Sequence, residues 1–197
     1  LDLGIPKGAD GQKGDTGSAD ISLGVASAEV GQLVRIKAVD ADGRPTEWAA
    51  EKWESTEDGH AIVFTLNQKA AFHDGTPVTA QHWVETFQLI TDPACEILGK
   101  TALSCLTGTD DTGAAVAGET LGVEAVDDYT LKLSFKQPTI PEEFLVDKNR
   151  DIYVLPTYLL KDIPADQVVE SDFWRKPIGS GPCKFVSEVS GSNLVLE

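Results

Sequence analysis

The chain contains no methionine in 197 residues, only three cysteines and three histidines, and half as many basic as acidic side chains, 16 against 32. Each shortage removes a class of function. A formal charge of −16 repels nucleic-acid backbones and anionic lipid surfaces unless basic residues cluster locally, and no such patch occurs. No apolar run approaches the roughly 20 residues that a spanning helix requires, and no charged, apolar, small-residue signal pattern opens the chain. Cys95, Cys105 and Cys183 cannot all pair within one chain. Cys95 and Cys105 could close a small loop in an exported protein, although reduced, partly buried thiols are the plainer expectation. The lack of Met at position 1 and the terminal LVLE, without a polar tail or helix stop, are read as the marks of a segment of something longer.

Candidate chemistry is equally sparse. His73 beside Asp74, with His82 nine residues on, invites a metal or catalytic reading. A metal site needs converging ligands at spacings such as HExxH or CxxC, and neither the histidines nor the cysteines show them. No serine sits in a GxSxG elbow, because the glycines of GSGPC flank Ser180 too closely. The expectation is therefore no catalytic residue, no metal and no cofactor. His73 and Asp74 read instead as a hydrogen-bonded turn. A hydrolase would require that replacing them abolish an activity while leaving the fold intact. Trp48, Trp53, Trp83 and Trp174 could line a cleft, but core packing is the commoner use of tryptophan. The acidic pairs Glu57–Asp58, Asp110–Asp111, Asp127–Asp128 and Glu142–Glu143 fall in predicted turns, where solvated charge is expected.

What the chain does have is order along its length. In residues 1–19, Gly8, Gly11, Gly14 and Gly17 recur every third position, the register of three polyproline-II chains meeting at an axis where only Gly fits. The run resembles short collagen-like segments of phage tail and surface-fibre proteins, and a Gly-rich linker is the alternative. A collagen-like stalk would make the protein a trimer. Residues 20–49 read as short β-structure: LVRIKAV alternates from Leu33 to Val39, and Asp42-Gly43 offers a turn. This segment also resembles a stretch that follows collagen-like runs in phage-related proteins.

From residue 50 to 197 the pattern changes. HAIVFTL is a strand with Ile62, Phe64 and Leu66 on one face. His73, Asp74 and Gly75 turn the chain, Pro77 stiffens it, and the Thr79 oxygen is placed to bond the first free amides of a helix. That helix, Ala80 to about Ile90, carries Trp83, Val84, Phe87 and Ile90 as a core-facing stripe and stops before Pro93. A short helix is possible near Ala94–Leu106, followed by a flexible acidic loop from Gly108 to Gly118. VEAVDDYTLKLSF reads as a hairpin turning at Asp127 and Asp128. EEFLV offers one helical turn, IYVLPTYLL a buried segment entering a short helix, and the last residues two strands joined by SGSN.

The order of these pieces resembles the family 5 extracellular solute-binding proteins, the oligopeptide, dipeptide and nickel-binding receptors of ABC importers. Four motifs carry the likeness over about 150 residues. They are Ala50, Glu51 and Trp53 before Glu57-Asp58-Gly59; Phe72, His73, Asp74, Gly75, Pro77, Thr79 and Ala80; Val126, Asp127, Asp128, Tyr129 and Thr130; and Gly179, Ser180, Gly181 and Pro182. Trp83 belongs with the second as the helix's core anchor. Two departures stand out: Gln81 and His82 replace the acids common after Thr-Ala, and Cys183 replaces the tyrosine of the Gly-Pro-Tyr loop. The resemblance implies an α+β fold, the partial first lobe of a two-lobed periplasmic-binding-protein-like architecture with mostly antiparallel strands and a few helices, outside the cytoplasm. It also implies a peptide or other small solute and ABC permease subunits as partners, no nucleic acid and no covalent chemistry. The ligand-contacting residues are not identifiable, since the second lobe of such proteins has no counterpart here, and weak or no peptide binding is expected of this chain alone. A structural or adhesion module of a fibre is the alternative.

Overall fold

The computed structural model describes residues 49–97, 99–145, 152–181, 183–189 and 193–197. The collagen-like reading of residues 1–19, the β-rich reading of the segment up to Trp48, and Pro182 lie outside the described residues. Four antiparallel strands form the main sheet: β1 (Ala50–Ser55), β2 (Ala61–Leu66), β3 (Val123–Asp127) and β4 (Thr130–Ser134), in the order β1-β2-β4-β3. Alternation decides which face is buried. Ile62 pairs with Leu133 and Phe64 with Leu131, so one face is continuously apolar and all four are at most 2% exposed. Both edge strands carry a register irregularity, Ala50/Lys52 and Ala125/Asp127, and β1 also carries the Lys52–Glu54 ion pair at 2.7 Å. Kinked, charged edges discourage a further strand from pairing there.

Helix α1 (Ala80–Thr91) packs on β3 and β4 and buries the expected stripe of Trp83, Val84, Phe87 and Ile90. Its two buried threonines are satisfied locally: Thr86 donates to the His82 carbonyl at 2.7 Å and Thr91 to that of Phe87 at 2.8 Å. The helix ends at Asp92, which has φ −54° and ψ 126°, the extended geometry that Pro93 demands.

The connection to β3 is more structured than a flexible acidic loop. A 3₁₀ turn forms at Lys100–Cys105, within the span read as a possible helix, and buries Leu103. Asp110 then closes a tight turn, its Oδ1 accepting from the amides of Thr112 (2.8 Å) and Ala114 (3.0 Å), while Thr109 and Ala115 form a bridge. Gly113 sits at φ +84° with its Cα so close to Lys100 that a Cβ would lie 1.9 Å from that carbonyl oxygen. Such packing has no local apolar signature, which is why small polar residues suggested slack. Cys95 is a buried thiol that burial pushes above its ordinary pKa, and the Cys105 Sγ lies 3.4 Å from the Ala102 carbonyl.

Beyond the sheet, a single turn α2 (Pro141–Glu143) precedes buried Phe144, whose ring meets that of Phe135 edge-on at 5.0 Å. Ile152 and Val154 are buried and lead into α3 (Thr157–Leu160). The chain closes with a separate two-stranded ribbon, β5 (Phe185–Val189) and β6 (Asn193–Leu196). Among the described residues no helix is long and apolar enough to cross a membrane.

Candidate functional site

The turn at His73-Asp74-Gly75 gathers groups from three distant parts of the chain. The Ala71–Pro77 bridge closes its base, Phe72 donates its amide to Thr76 and Gly75 donates to Phe72. Gly75 stands at φ +91° with open space around it, so the backbone conformation alone calls for glycine. Asp74 accepts the Thr76 amide on one oxygen at 2.9 Å and the Tyr158 hydroxyl on the other at 2.6 Å. The Tyr158 hydrogen bond, then the Thr76 amide, holds the Asp74 carboxyl below its ordinary value of 3.8. Burial, followed by the Asp74 hydrogen bond, pushes the Tyr158 phenol up.

His73 is saturated by main chain. Its Nε2 lies 2.7 Å from the Gly181 carbonyl, and the Gly179 amide donates to its Nδ1 at 3.3 Å. A carbonyl can only accept and an amide can only donate, so the ring is the neutral tautomer protonated at Nε2. The His73 amide in turn donates to the Gly179 carbonyl at 2.8 Å.

The helix start is a capping box. Thr79 is the N-cap, as expected, with its side chain toward the His82 amide, and His82 reaches back, its Nδ1 accepting the Thr79 amide at 3.2 Å and lying 3.0 Å from the Thr79 hydroxyl. A Glu or Gln three residues after the cap usually does this, so the imidazole stands in for the missing acid. The Ala80 amide goes to the Asp128 carbonyl at 2.8 Å, tying the helix to the β3–β4 turn. Phe72, His82 and Tyr158 form a ring triangle, with centroids 5.3, 5.7 and 5.7 Å apart and all three contacts edge-on. Burial holds the His82 pKa down, opposed by the nearby Glu85 carboxylate. Glu85 accepts from Gln81 at 3.0 Å and from the Thr157 hydroxyl, while the Leu155 amide donates to Thr86 at 3.0 Å.

An open groove of about 460 Å³ runs beside this cluster, lined by His82, Glu85, Leu89, Tyr158, Leu160 and Ile163 among others. A second hollow of about 560 Å³ lies by Thr56, Asp58, His60, Lys132 and Ser134. At the corner both Asp74 oxygens and both His73 ring nitrogens are already engaged. Among the described residues no group of three or more His, Cys, Asp or Glu side chains could hold a metal.

Of the residues singled out from sequence, the structure brings Phe72, His73, Asp74, Gly75, Gly179 and Gly181 to one corner, with Thr79 at the adjoining helix start. Trp83 lies apart in the core at 1% exposure, Trp53 is half-buried opposite Phe64, and Tyr129 packs on the core beside Asp128. Trp174 is 42% exposed and donates its indole N–H to Val168, so it is not a core residue. Sequence reasoning missed Tyr158 and the capping part of His82. The position of His82, three residues after Thr79, was the available signal for the latter.

Comparison with known proteins covers the same region. The profile of the family described as "Bacterial extracellular solute-binding proteins, family 5 Middle" matches residues 44–197. The periplasmic oligopeptide-binding protein OppA of Salmonella typhimurium is 29% identical over 164 residues, which are 80% of this chain and 28% of that protein. The periplasmic murein peptide-binding protein MppA of Escherichia coli is 32% identical over 155 residues, 75% of this chain and 27% of the relative. The solved oligopeptide-binding protein AppA of Bacillus subtilis, in complex with a nonapeptide, superposes with a TM-score of 0.68 at 21% identity, over 87% of this chain and 31% of that one. The chain thus spans less than a third of the length of each of these proteins.

Proposed function

The chain belongs to the bacterial extracellular solute-binding proteins, family 5, and from that premise we propose that it is part of the receptor of an ABC importer. The receptor takes a peptide or similar small solute outside the cytoplasm, in the periplasm or at the cell surface, and hands it to the membrane permease without covalent chemistry. The match over residues 44–197 carries this reading. The corner agrees with it, because its hydrogen bonds serve to build a turn: both His73 ring nitrogens meet main-chain groups and each Asp74 oxygen accepts a bond from the protein itself. Receptors of this kind bind through main-chain hydrogen bonds and roomy pockets, and residues 50–197 supply scaffold for such a cleft.

The test is transplantation. Residues 50–197 replace the matching segment of the Salmonella oligopeptide-binding protein, and calorimetry measures binding of oligopeptides to the chimera. Retained binding is expected. A chimera that unfolds cooperatively, and so is folded, yet binds no peptide would overturn the reading. The 197-residue chain alone is expected to give no micromolar binding isotherm.

A further inference from the structure

Residues 177–181 precede the ribbon β5–β6, and three hydrogen bonds there all involve one residue. His73 donates its amide to the Gly179 carbonyl, accepts the Gly179 amide at Nδ1 and donates Nε2–H to the Gly181 carbonyl. The two ring bonds span 106 and 108 residues of sequence. Packing reinforces them. A Cβ placed on Gly179 would lie 3.5 Å from His73 Cε1, in ordinary van der Waals contact, and Ile178 packs on the core. The far side of the corner is equally fixed, since Asp74 is held by Tyr158 and Gly75 is set in the left-handed region.

We propose that His73 is a positioning residue: a latch that reads the backbone of Gly179 and Gly181 through both ring nitrogens and so fixes the direction in which the β5–β6 ribbon projects from the four-stranded sheet. Two features make an imidazole suitable. Its two nitrogens are rigidly separated, so one acceptor and one donor meet two backbone groups two residues apart without further rotamer loss. It is also held to a single tautomer, because the alternative would place N–H against N–H at Gly179. The proposal concerns the joint itself and stands independently of the importer reading.

The experiment uses the 197-residue chain and no ligand. Nitrogen-15 spectra at pH 8 are expected to show His73 protonated at Nε2 and bare at Nδ1. Hydrogen exchange then follows the Gly179 amide in three variants. His73→Asn keeps an acceptor near the Nδ1 position, His73→Gln keeps a donor near the Nε2 position, and His73→Ala keeps neither. Exchange at Gly179 is expected to speed up about tenfold in His73→Gln and His73→Ala, equivalent to about 1.4 kcal/mol. It should stay within about twofold of the parent in His73→Asn, a spread that follows from an ordinary net hydrogen-bond contribution. A parent tautomer protonated at Nδ1, equal effects of Asn and Gln, or faster exchange spread evenly over β2 and β4 would each overturn the latch.

Discussion

Replacing Tyr158 by Phe isolates one bond. The ring stays, so its edge-on contacts with Phe72 and His82, both 5.7 Å between centroids, are retained. The loss is the 2.6 Å hydrogen bond from the hydroxyl to Asp74. A hydrogen bond to a charged group contributes about 1.5–3 kcal/mol when sheltered. Asp74 is exposed to water, which solvates the abandoned carboxylate and screens the interaction, so the expected cost falls to about 1 kcal/mol. In a chain of this size that lowers Tm by roughly 2–4 °C. The pH dependence has a fixed sign. A carboxyl whose folded pKa is depressed contributes stability that is present above its unfolded value, 3.8 here, and lost as pH falls through the folded value. A phenol whose folded pKa is raised contributes stability that is present below 10.0 and lost as pH rises through the folded value. The gap between parent and Tyr158→Phe should therefore be widest on a plateau between about pH 5 and 9 and close at both ends. Urea unfolding at a series of pH values measures it. Equal stabilities at pH 7, or a gap undiminished at pH 3, would refute the assignment.

Two further perturbations test the helix start and the folded loop. His82→Ala should cost about 1 kcal/mol by removing the cap, and His82→Gln should recover most of it because an amide oxygen can accept the Thr79 N–H. Burial depresses the His82 pKa, so the parent should lose stability as pH falls below 6.5 through the folded value, and urea unfolding should show that slope flattened in His82→Gln. Gly113→Ala and Gly118→Ala share nearly the same φ, +84° and +85°, but only the former drives a Cβ against backbone. Thermal unfolding should show about 1 kcal/mol lost at Gly118 and at least about 3 kcal/mol at Gly113, and equal losses would mean that the loop yields freely.

The elements were readable where local periodicity and turn chemistry agree. Asp127 accepts the Tyr129 amide at 2.8 Å, the side-chain turn its sequence suggests, and Leu131 and Leu133 alternate inward after it. The α1 stripe was equally plain, because Trp83, Phe87 and Ile90 leave no other way to bury that face. What could not be read is anything joined across long loops. The Tyr158–Asp74 bond spans 84 residues, and a Tyr in PTYLL looks the same whether its hydroxyl meets a carboxylate or water. The reading of residues 108–118 as slack failed for the complementary reason: backbone hydrogen bonds and left-handed glycines hold that loop, and neither leaves an apolar pattern.

The ribbon shows why a joint, rather than a pocket, is where these observations converge. A two-stranded ribbon is marginal in water, because most of its surface stays wet and its backbone pairs on one side only. Here Val186, Leu194, Val195 and Leu196 are 41–57% exposed, so burial supplies little of what orders it. Its register comes instead from the pairing of β5 with β6 and from the reciprocal Lys184–Glu197 bonds at 2.7 and 2.8 Å. Neither feature says which way it points. Direction must enter on the packed-body side of the ribbon, at residues 178–181, where the bonds from His73 meet Ile178 seated on the core. A bond worth about 1 kcal/mol is minor in a large core but decisive for an element whose own stability is near zero. The His73-Asp74 pair that looks like a catalytic dyad in sequence thus has its largest consequence as geometry: Asp74 anchors the turn to Tyr158, and His73 passes that anchorage to the ribbon.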